Sequence, residues 1–313
     1  MTVSRTSAGA SAGLTATEVA GAEVAGDGMD GDAVLDRNRD VEMRELERRA
    51  DWIRLETIRL VEVAKSGHYS SVFSCAEMFA ALYYRTLRIK PGDAAWPDRD
   101  RFLLGKGHAA IGQYPVLADL GYFPGDWLDT YTRLGSNLGD HPDMRKVPGI
   151  DFSSGSIGHN LSVGVGMALS ARMTGRDYLT WVMLGDGELN EGQVWEAAMS
   201  AAHYGLSNLV GIVDANGMGL DGDMETVMDI EPVAAKFESF GWSTSEIDGH
   251  DMAAVCAAFD QAQSADRPHM IVARTKKGKG VTFMETTPHW HLGYLGPIDK
   301  ASAVAEIESR MTR

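Results

Sequence analysis

YLTWVMLGDGELNEGQVWEAAMSAAHYGLSNLVGIVDANG, residues 178–217, holds two short apolar runs separated by a helix-like segment. The first run, 178–184, reads as a strand that breaks on Gly185-Asp186-Gly187, and the second, 208–213, as a strand that breaks on Asp214-Ala215-Asn216-Gly217. Two strands joined by one helical crossover form a βαβ unit. In an open parallel sheet, ligands gather at the carboxyl ends of the strands beside the crossover helix. Asp186 and Asn216 then offer two hard oxygen atoms to one magnesium or calcium ion. A backbone carbonyl after Asn216 and the oxygens of a diphosphate would complete roughly six ligands. Gly-Asp-Gly alone is a common turn, because glycine accepts positive φ and aspartate bonds to nearby backbone. The strand before it and the Asn-Gly after the second strand give it a further meaning.

Working outward, the same alternation continues. A long amphipathic helix is expected from near Val41 to Ser66-Gly67, with Leu46, Ile53, Ile58 and Val61 near helical spacing. The spacing predicts a second helix over 71–87, a proline-rich turn over 91–101 and a short strand over 101–104. A loop entering a helix follows and ends near Gly121, and 125–149 reads as loop with one short helix. A helix rich in small residues is expected over 157–173. Beyond the central motif, helix (231–242), strand (243–248), helix (251–265) and strand (269–275) follow in order. This is an α/β pattern with a mainly parallel sheet flanked by helices. Residues 1–40, rich in Ala, Gly, Ser, Thr and Asp, read as a disordered extension rather than a secretory signal, and 41–313 as one domain.

Composition excludes several classes. The chain has 313 residues with 44% apolar content and a formal net charge of -15, which argues against a nucleic-acid surface. No apolar run reaches the roughly 18 residues needed to span a membrane. Cys75 and Cys256 sit in apolar segments as small buried hydrophobes, with no disulfide or zinc spacing, and point to a reducing cytoplasm.

The motifs together resemble those of the thiamine-diphosphate-dependent transketolases. Ala64-Lys65-Ser66-Gly67-His68 resembles an AKSGH segment of that family, and Asp98-Arg99-Asp100-Arg101-Phe102, followed by Gly105-Lys106-Gly107-His108, resembles its DRDRF and GH segments. Asp140-His141-Pro142 resembles a GHP tripeptide, Gly155-Ser156-Ile157-Gly158 a G-(S/P)-L-G turn, and Asp248-Gly249-His250-Asp251 a DGHD segment. The tail through Trp290-His291 is also similar, so the resemblance covers about 50–295. It implies the diphosphate-binding fold, with Asp186 and Asn216 binding Mg2+ (or Ca2+) by side chain and Met218 by its carbonyl. It implies that Gly187 donates its N–H to the diphosphate, that Ile157 presses on the cofactor rings with Gly155 nearby, and that His108 lies between diphosphate and substrate. His68 and His291 would contact the reacting carbonyl or hydroxyl groups, and His141 the donor's terminal hydroxyl. Glu191 would sit at a subunit interface and relay protons to the cofactor's aminopyrimidine; in the plain reading it is a first-turn glutamate favoured by the helix dipole.

Transketolases of full length carry a second domain that binds the aminopyrimidine. The resemblance here stops at the first, which implies a split enzyme whose C-terminal, pyrimidine-binding half is a separate subunit, in an α2β2 heterotetramer. The expected activity is transfer of a two-carbon ketol unit from a ketose phosphate donor to an aldehyde acceptor. Two departures bear on the substrate: Tyr69-Ser70 stands where many members have Pro-Gly, and His159-Asn160 where Gln-Gly is common. A specialised ketol or acyl transfer in secondary metabolism, a 2-oxo acid dehydrogenase α subunit and a non-catalytic partner of another transketolase are the alternatives. The histidine segments disfavour the dehydrogenase.

Overall fold

The computed structural model describes residues 31–285 and 287–312. The chain divides into two units between Val41 and Glu42. Of the extension expected over 1–40, residues 1–30 lie outside the described residues. The first helix, α1, runs Gly31–Ala64 and so begins upstream of the expected start near Val41. Periodicity could not show this, because a helix already nucleated gains one hydrogen bond per added residue without needing an apolar stripe.

The helices after α1 are α2 (Ser70–Phe73), α3 (Ala76–Ala81), α4 (Ala110–Asp119), α5 (Asn160–Met173), α6 (Gly192–His203), α7 (Met224–Val227), α8 (Val233–Ser239), α9 (Met252–Gln263) and α10 (Pro297–Met311). The strands are β1 (Arg101–Leu104), β2 (Thr180–Gly185), β3 (Leu209–Ala215), β4 (Ser243–Asp248) and β5 (His269–Arg274). They form one sheet in the order β1-β2-β3-β5-β4, and every neighbouring pair is parallel. This is the expected α/β architecture.

Successive strand residues face opposite sides, and the side chains follow that rule. Phe102, Leu104, Trp181, Met183, Val210, Ile212, Ile271 and Ala273 join one core with α1, α3, α4, α9 and α10. Leu103, Val182, Leu184, Leu209, Val213, Met270 and Val272 join the other with α5, α6 and α8. Strands buried on both faces read as continuous apolar runs, as 178–184 and 208–213 do. Each fully buried Leu, Ile, Val or Phe contributes roughly 1.5–3 kcal/mol of transfer free energy. Cys75 and Cys256 are buried, as expected.

Two expectations change. The helix expected over 71–87 is broken into α2, α3 and a π-turn over Leu82–Thr86, with Ser74 and Cys75 in the break. The reason is polar: the Ser74 hydroxyl donates to Asp214 Oδ2 at 2.6 Å, which ties this corner to the end of β3. The helix expected from residue 157 starts at Asn160, because Gly158 has φ +86 and its N–H donates to Glu188 Oε1 at 2.8 Å. Beyond the strand at 269–275 lies α10, with Ala303 and Ile307 fully buried.

Candidate active site

The parallel register brings four strand ends together. Gly185 at the end of β2 stands opposite Asp214, and Ala215 at the end of β3 stands opposite Arg274. Beyond these ends the chain reaches Lys106 and His108 after β1, Asp186 after β2, Asn216 and Met218 after β3, and Lys277 after β5. All of them line one cavity of about 300 Å³, together with Ile157, Gly187, Glu188 and His291. The connections diverge here: β1 leads into α4 in one core, while β2 and β3 lead into α6 and α8 in the other. Such a divergence opens a crevice in a doubly wound sheet.

Asp214 is the hub beneath the cavity. It is fully buried and accepts hydrogen bonds from Lys106 Nζ, Thr275 Oγ1 and Ser74 Oγ. Burial alone would raise its carboxyl, but the adjacent Lys106 ammonium outweighs that and holds it below the usual range. Lys106 also donates to the Ser71 carbonyl at 2.8 Å. Asn216 Nδ2 donates to Asp214 Oδ2 at 3.3 Å, and Asn216 Oδ1 accepts from the Met218 N–H at 3.1 Å, so the carboxamide has a set orientation.

Asp186 is 5% exposed and is held by backbone alone in the bonds it accepts, from Gly187 N at 2.9 Å and Gly217 N at 2.6 Å. Burial, and then Asp214 nearby, push its carboxyl up to about 6. Glu188 accepts from Gly158 N at 2.8 Å and Gly185 N at 3.1 Å, and burial pushes it up to about 7. Lys277 donates to the carbonyls of Met218 at 3.3 Å and Gly219 at 3.0 Å. Burial, then Lys106, bring its ammonium down to about 8.

These residues fit a divalent cation carried with a diphosphate. A buried carboxylate displaced upward is stabilised by a cation beside it, and a carboxamide and a backbone carbonyl are hard oxygen donors of the kind Mg2+ or Ca2+ takes. No cluster of three or more His, Cys, Asp or Glu suited to a metal occurs among the described residues, so such an ion would need further oxygens from the ligand it accompanies. Lys106 and Lys277 supply positive charge toward that ligand within a chain of net charge -15.

The histidines meet at the mouth. Ring centroids are 5.0 Å apart for His68 and His108, 5.4 Å for His68 and His291, 5.6 Å for His108 and His291, and 6.4 Å for His68 and His141. A short antiparallel bridge makes the approach of His68 and His291 possible across the chain: Gly67 N donates to Gly293 O at 3.0 Å and Gly293 N to Gly67 O at 3.2 Å. Burial, and then the nearby Lys277, bring His291 down to about 3, and burial followed by Lys106 brings His108 well below its usual value. Both are neutral at pH 7 and can donate at one nitrogen while accepting at the other. At Gly155, an added Cβ would stand 3.4 Å from His141 Cδ2.

Thus His68, His108, His141 and His291 form one group, and Asp186, Gly187, Asn216, Met218 and Ile157 line the cavity with His108 and His291. Glu191 stands apart from that lining, as the exposed N-cap residue of α6, with no capping bond from its side chain. His250 of the DGHD segment belongs to a different place: its Nε2 accepts from Lys276 N at 2.8 Å and its Nδ1 lies 3.3 Å from Glu77 Oε2. Lys106, Asp140, Glu188, Asp214 and Lys277 were not singled out in the sequence. Position two or three residues past a strand end marks Lys106, Glu188 and Lys277, but only the sheet order shows that their strands are neighbours.

Residues 46–308 match the family described as transketolase, thiamine diphosphate binding domain. An apulose-4-phosphate transketolase subunit of Actinobacillus succinogenes is 40% identical over 248 residues, spanning 79% of this chain and 90% of that one. The 6-deoxy-6-sulfo-D-fructose transketolase subunit SqwG of a Clostridium species is 40% identical over 265 residues, spanning 84% of this chain and 96% of that one. Among solved structures, transketolase from Campylobacter jejuni is similar with a TM-score of 0.80 at 28% identity, covering 84% of this chain and 42% of that longer one.

Proposed function

Because this chain belongs to the transketolase family, within its thiamine diphosphate binding domain, we propose that it is the diphosphate-binding subunit of a two-component transketolase. The complex would transfer a two-carbon ketol unit from a ketose phosphate donor to an aldehyde acceptor. The observation that carries this reading is the convergence of Asp186, Asn216, Met218, Lys277, His108 and His291 on one cavity. Bound there, thiamine diphosphate supplies the carbanion chemistry that an amino-acid side chain cannot. Asp186 and Asn216 would hold Mg2+ or Ca2+ by side chain and Met218 by its carbonyl, while Gly187 and the two lysines face the diphosphate. Ile157 would press on the cofactor rings beside Gly155. His68, His108, His141 and His291 would orient the substrate's carbonyl and hydroxyl groups and move their protons.

The partner would be a pyrimidine-binding subunit on a separate chain, with Glu191 at the contact between them and an α2β2 assembly in the cytoplasm. Relatives named as subunits match this chain over 90% and 96% of their own lengths, which supports the split. Those relatives are named for different sugars, which supports the view that the donor varies among similar diphosphate-binding subunits.

The test is reconstitution with candidate pyrimidine-binding subunits, assayed for ketol transfer from several ketose phosphates and for Mg2+-dependent binding of thiamine diphosphate. Asp186→Ala is expected to weaken cofactor and Mg2+ binding by more than the roughly 10–100-fold that loss of a residue behind a metal ligand costs. Unchanged affinity would remove the cation assignment. Turnover by this chain alone would overturn the split.

A further inference from the structure

Asp140 lies between two of the clustered histidines. Its Oδ1 is 3.4 Å from His68 Nδ1 and its Oδ2 is 3.5 Å from His141 Nδ1. Buried tyrosines hold the carboxylate in place: Tyr131 Oη donates to Asp140 Oδ1 at 3.2 Å, and Tyr114 Oη donates to the carbonyl of Gly139 at 2.9 Å, fixing the turn that carries it. The two tyrosine rings pack edge to face with centroids 6.1 Å apart, and both are fully buried. His68 Nδ1 is closed off from solvent and makes no hydrogen bond, so the Asp140 carboxylate beside it is the acceptor that nitrogen can reach.

We propose that Asp140 is a positioning residue that holds both His68 and His141 in the tautomer with the proton on Nδ1. A carboxylate accepts only, so a ring nitrogen that bonds to it carries the proton, and which nitrogen carries it determines what the other can do. Nε2 of each ring is then a lone-pair acceptor, able to take a proton from a substrate hydroxyl. The carboxylate stabilises the imidazolium so formed without itself becoming protonated. In accord with this, the neighbouring His68 imidazole holds the Asp140 carboxyl below its ordinary range. The catalytic use of the two Nε2 atoms rests on the ketol-transfer reading above, whereas the tautomers do not.

Long-range 15N–1H correlation spectra of the full chain labelled with 15N-histidine, near neutral pH, test this without cofactor, partner or turnover. Assignments come from His68→Gln and His141→Gln. In the wild type both rings are expected to carry the proton on Nδ1. In Asp140→Gly both should lose that preference. In Asp140→Asn, whose carboxamide offers one acceptor and one donor, one ring should keep its Nδ1 proton and the other should switch to Nε2. His250 serves as the internal reference for an intact fold, since Lys276 N–H and Glu77 set its tautomer independently. Nε2–H tautomers in the wild type, or rings unchanged in Asp140→Gly while His250 keeps its signal, would overturn the inference. Because no catalysis is measured, failure of the ketol-transfer reading would leave this result standing, and the reverse also holds.

Discussion

The polar residues under the cavity are balanced in pairs, and single substitutions expose that balance. Lys106 and Asp214 are both buried and joined by a direct hydrogen bond, so each neutralises a charge the interior could not otherwise hold. Lys106→Met is expected to cost about 3–5 kcal/mol in denaturant unfolding, because it leaves the Asp214 carboxylate without its counter-ion. Adding Asp214→Asn should recover part of that cost, and the coupling follows from a double-mutant cycle. A cost below about 1 kcal/mol for Lys106→Met would show that the pair carries little. Neither residue stood out in the sequence, whereas Asp186 and Asn216 did. The difference is physical: turn glycines beside a strand end mark a carboxylate at the strand's carboxyl end, where Asp186 lines the cavity, while a lysine in Gly-Lys-Gly-His shows its partner only when β1 and β3 share a sheet.

At the scale of elements, α5 shows how small residues set distance. An added Cβ at Gly164 would stand 2.6 Å from Val182 Cγ2 on β2, while one at Gly166 meets nothing within 4 Å. Gly164→Ala is expected to cost about 1–3 kcal/mol by forcing α5 away from the sheet. Gly166→Ala should instead stabilise the chain by about 0.5–1 kcal/mol, by removing the entropy cost of glycine within a helix. Thermal unfolding of the two variants checks the sign, and a loss at both positions would contradict the packing described. The strands were legible to within a residue or two, because runs buried on both faces admit few other readings. Helix starts were less so. Gly158 takes a left-handed conformation and gives its N–H to Glu188, and that contact, invisible in the apolar pattern of 157–173, delays α5 until Asn160.

Across the whole domain, a second buried network joins elements far apart in sequence. Arg54 on α1 donates to Asp51 at 3.0 Å and to both oxygens of Glu77 on α3 at 2.7 Å, and Arg310 on α10 reaches Asp51 at 2.8 Å. His250 links Glu77 to the backbone after β5. Burial alone would raise Glu77, but Arg54 and then His250 outweigh it and bring it to about 2, from an ordinary 4.5. A carboxyl lowered in this way adds stability that is complete above pH 4.5 and is lost as pH falls toward 2. Glu77→Gln is therefore expected to lower stability at pH 7 by about 3–5 kcal/mol, leaving Arg54 without its main partner. The gap between variant and wild type should narrow between pH 4.5 and 2 in denaturation midpoints, and a constant gap would remove the assignment. By itself the sequence determined the parallel α/β fold and the family, and it marked Asp186 and Asn216, which the structure places on the cavity, because strand burial and turn chemistry are local and leave local marks. Tertiary structure alone decided that Lys106 meets Asp214, that Asp140 stands between His68 and His141, and that His250 belongs to a supporting network. Those pairings join residues up to 173 positions apart, as between Glu77 and His250, and only the closing of the sheet and its flanking helices brings them within reach.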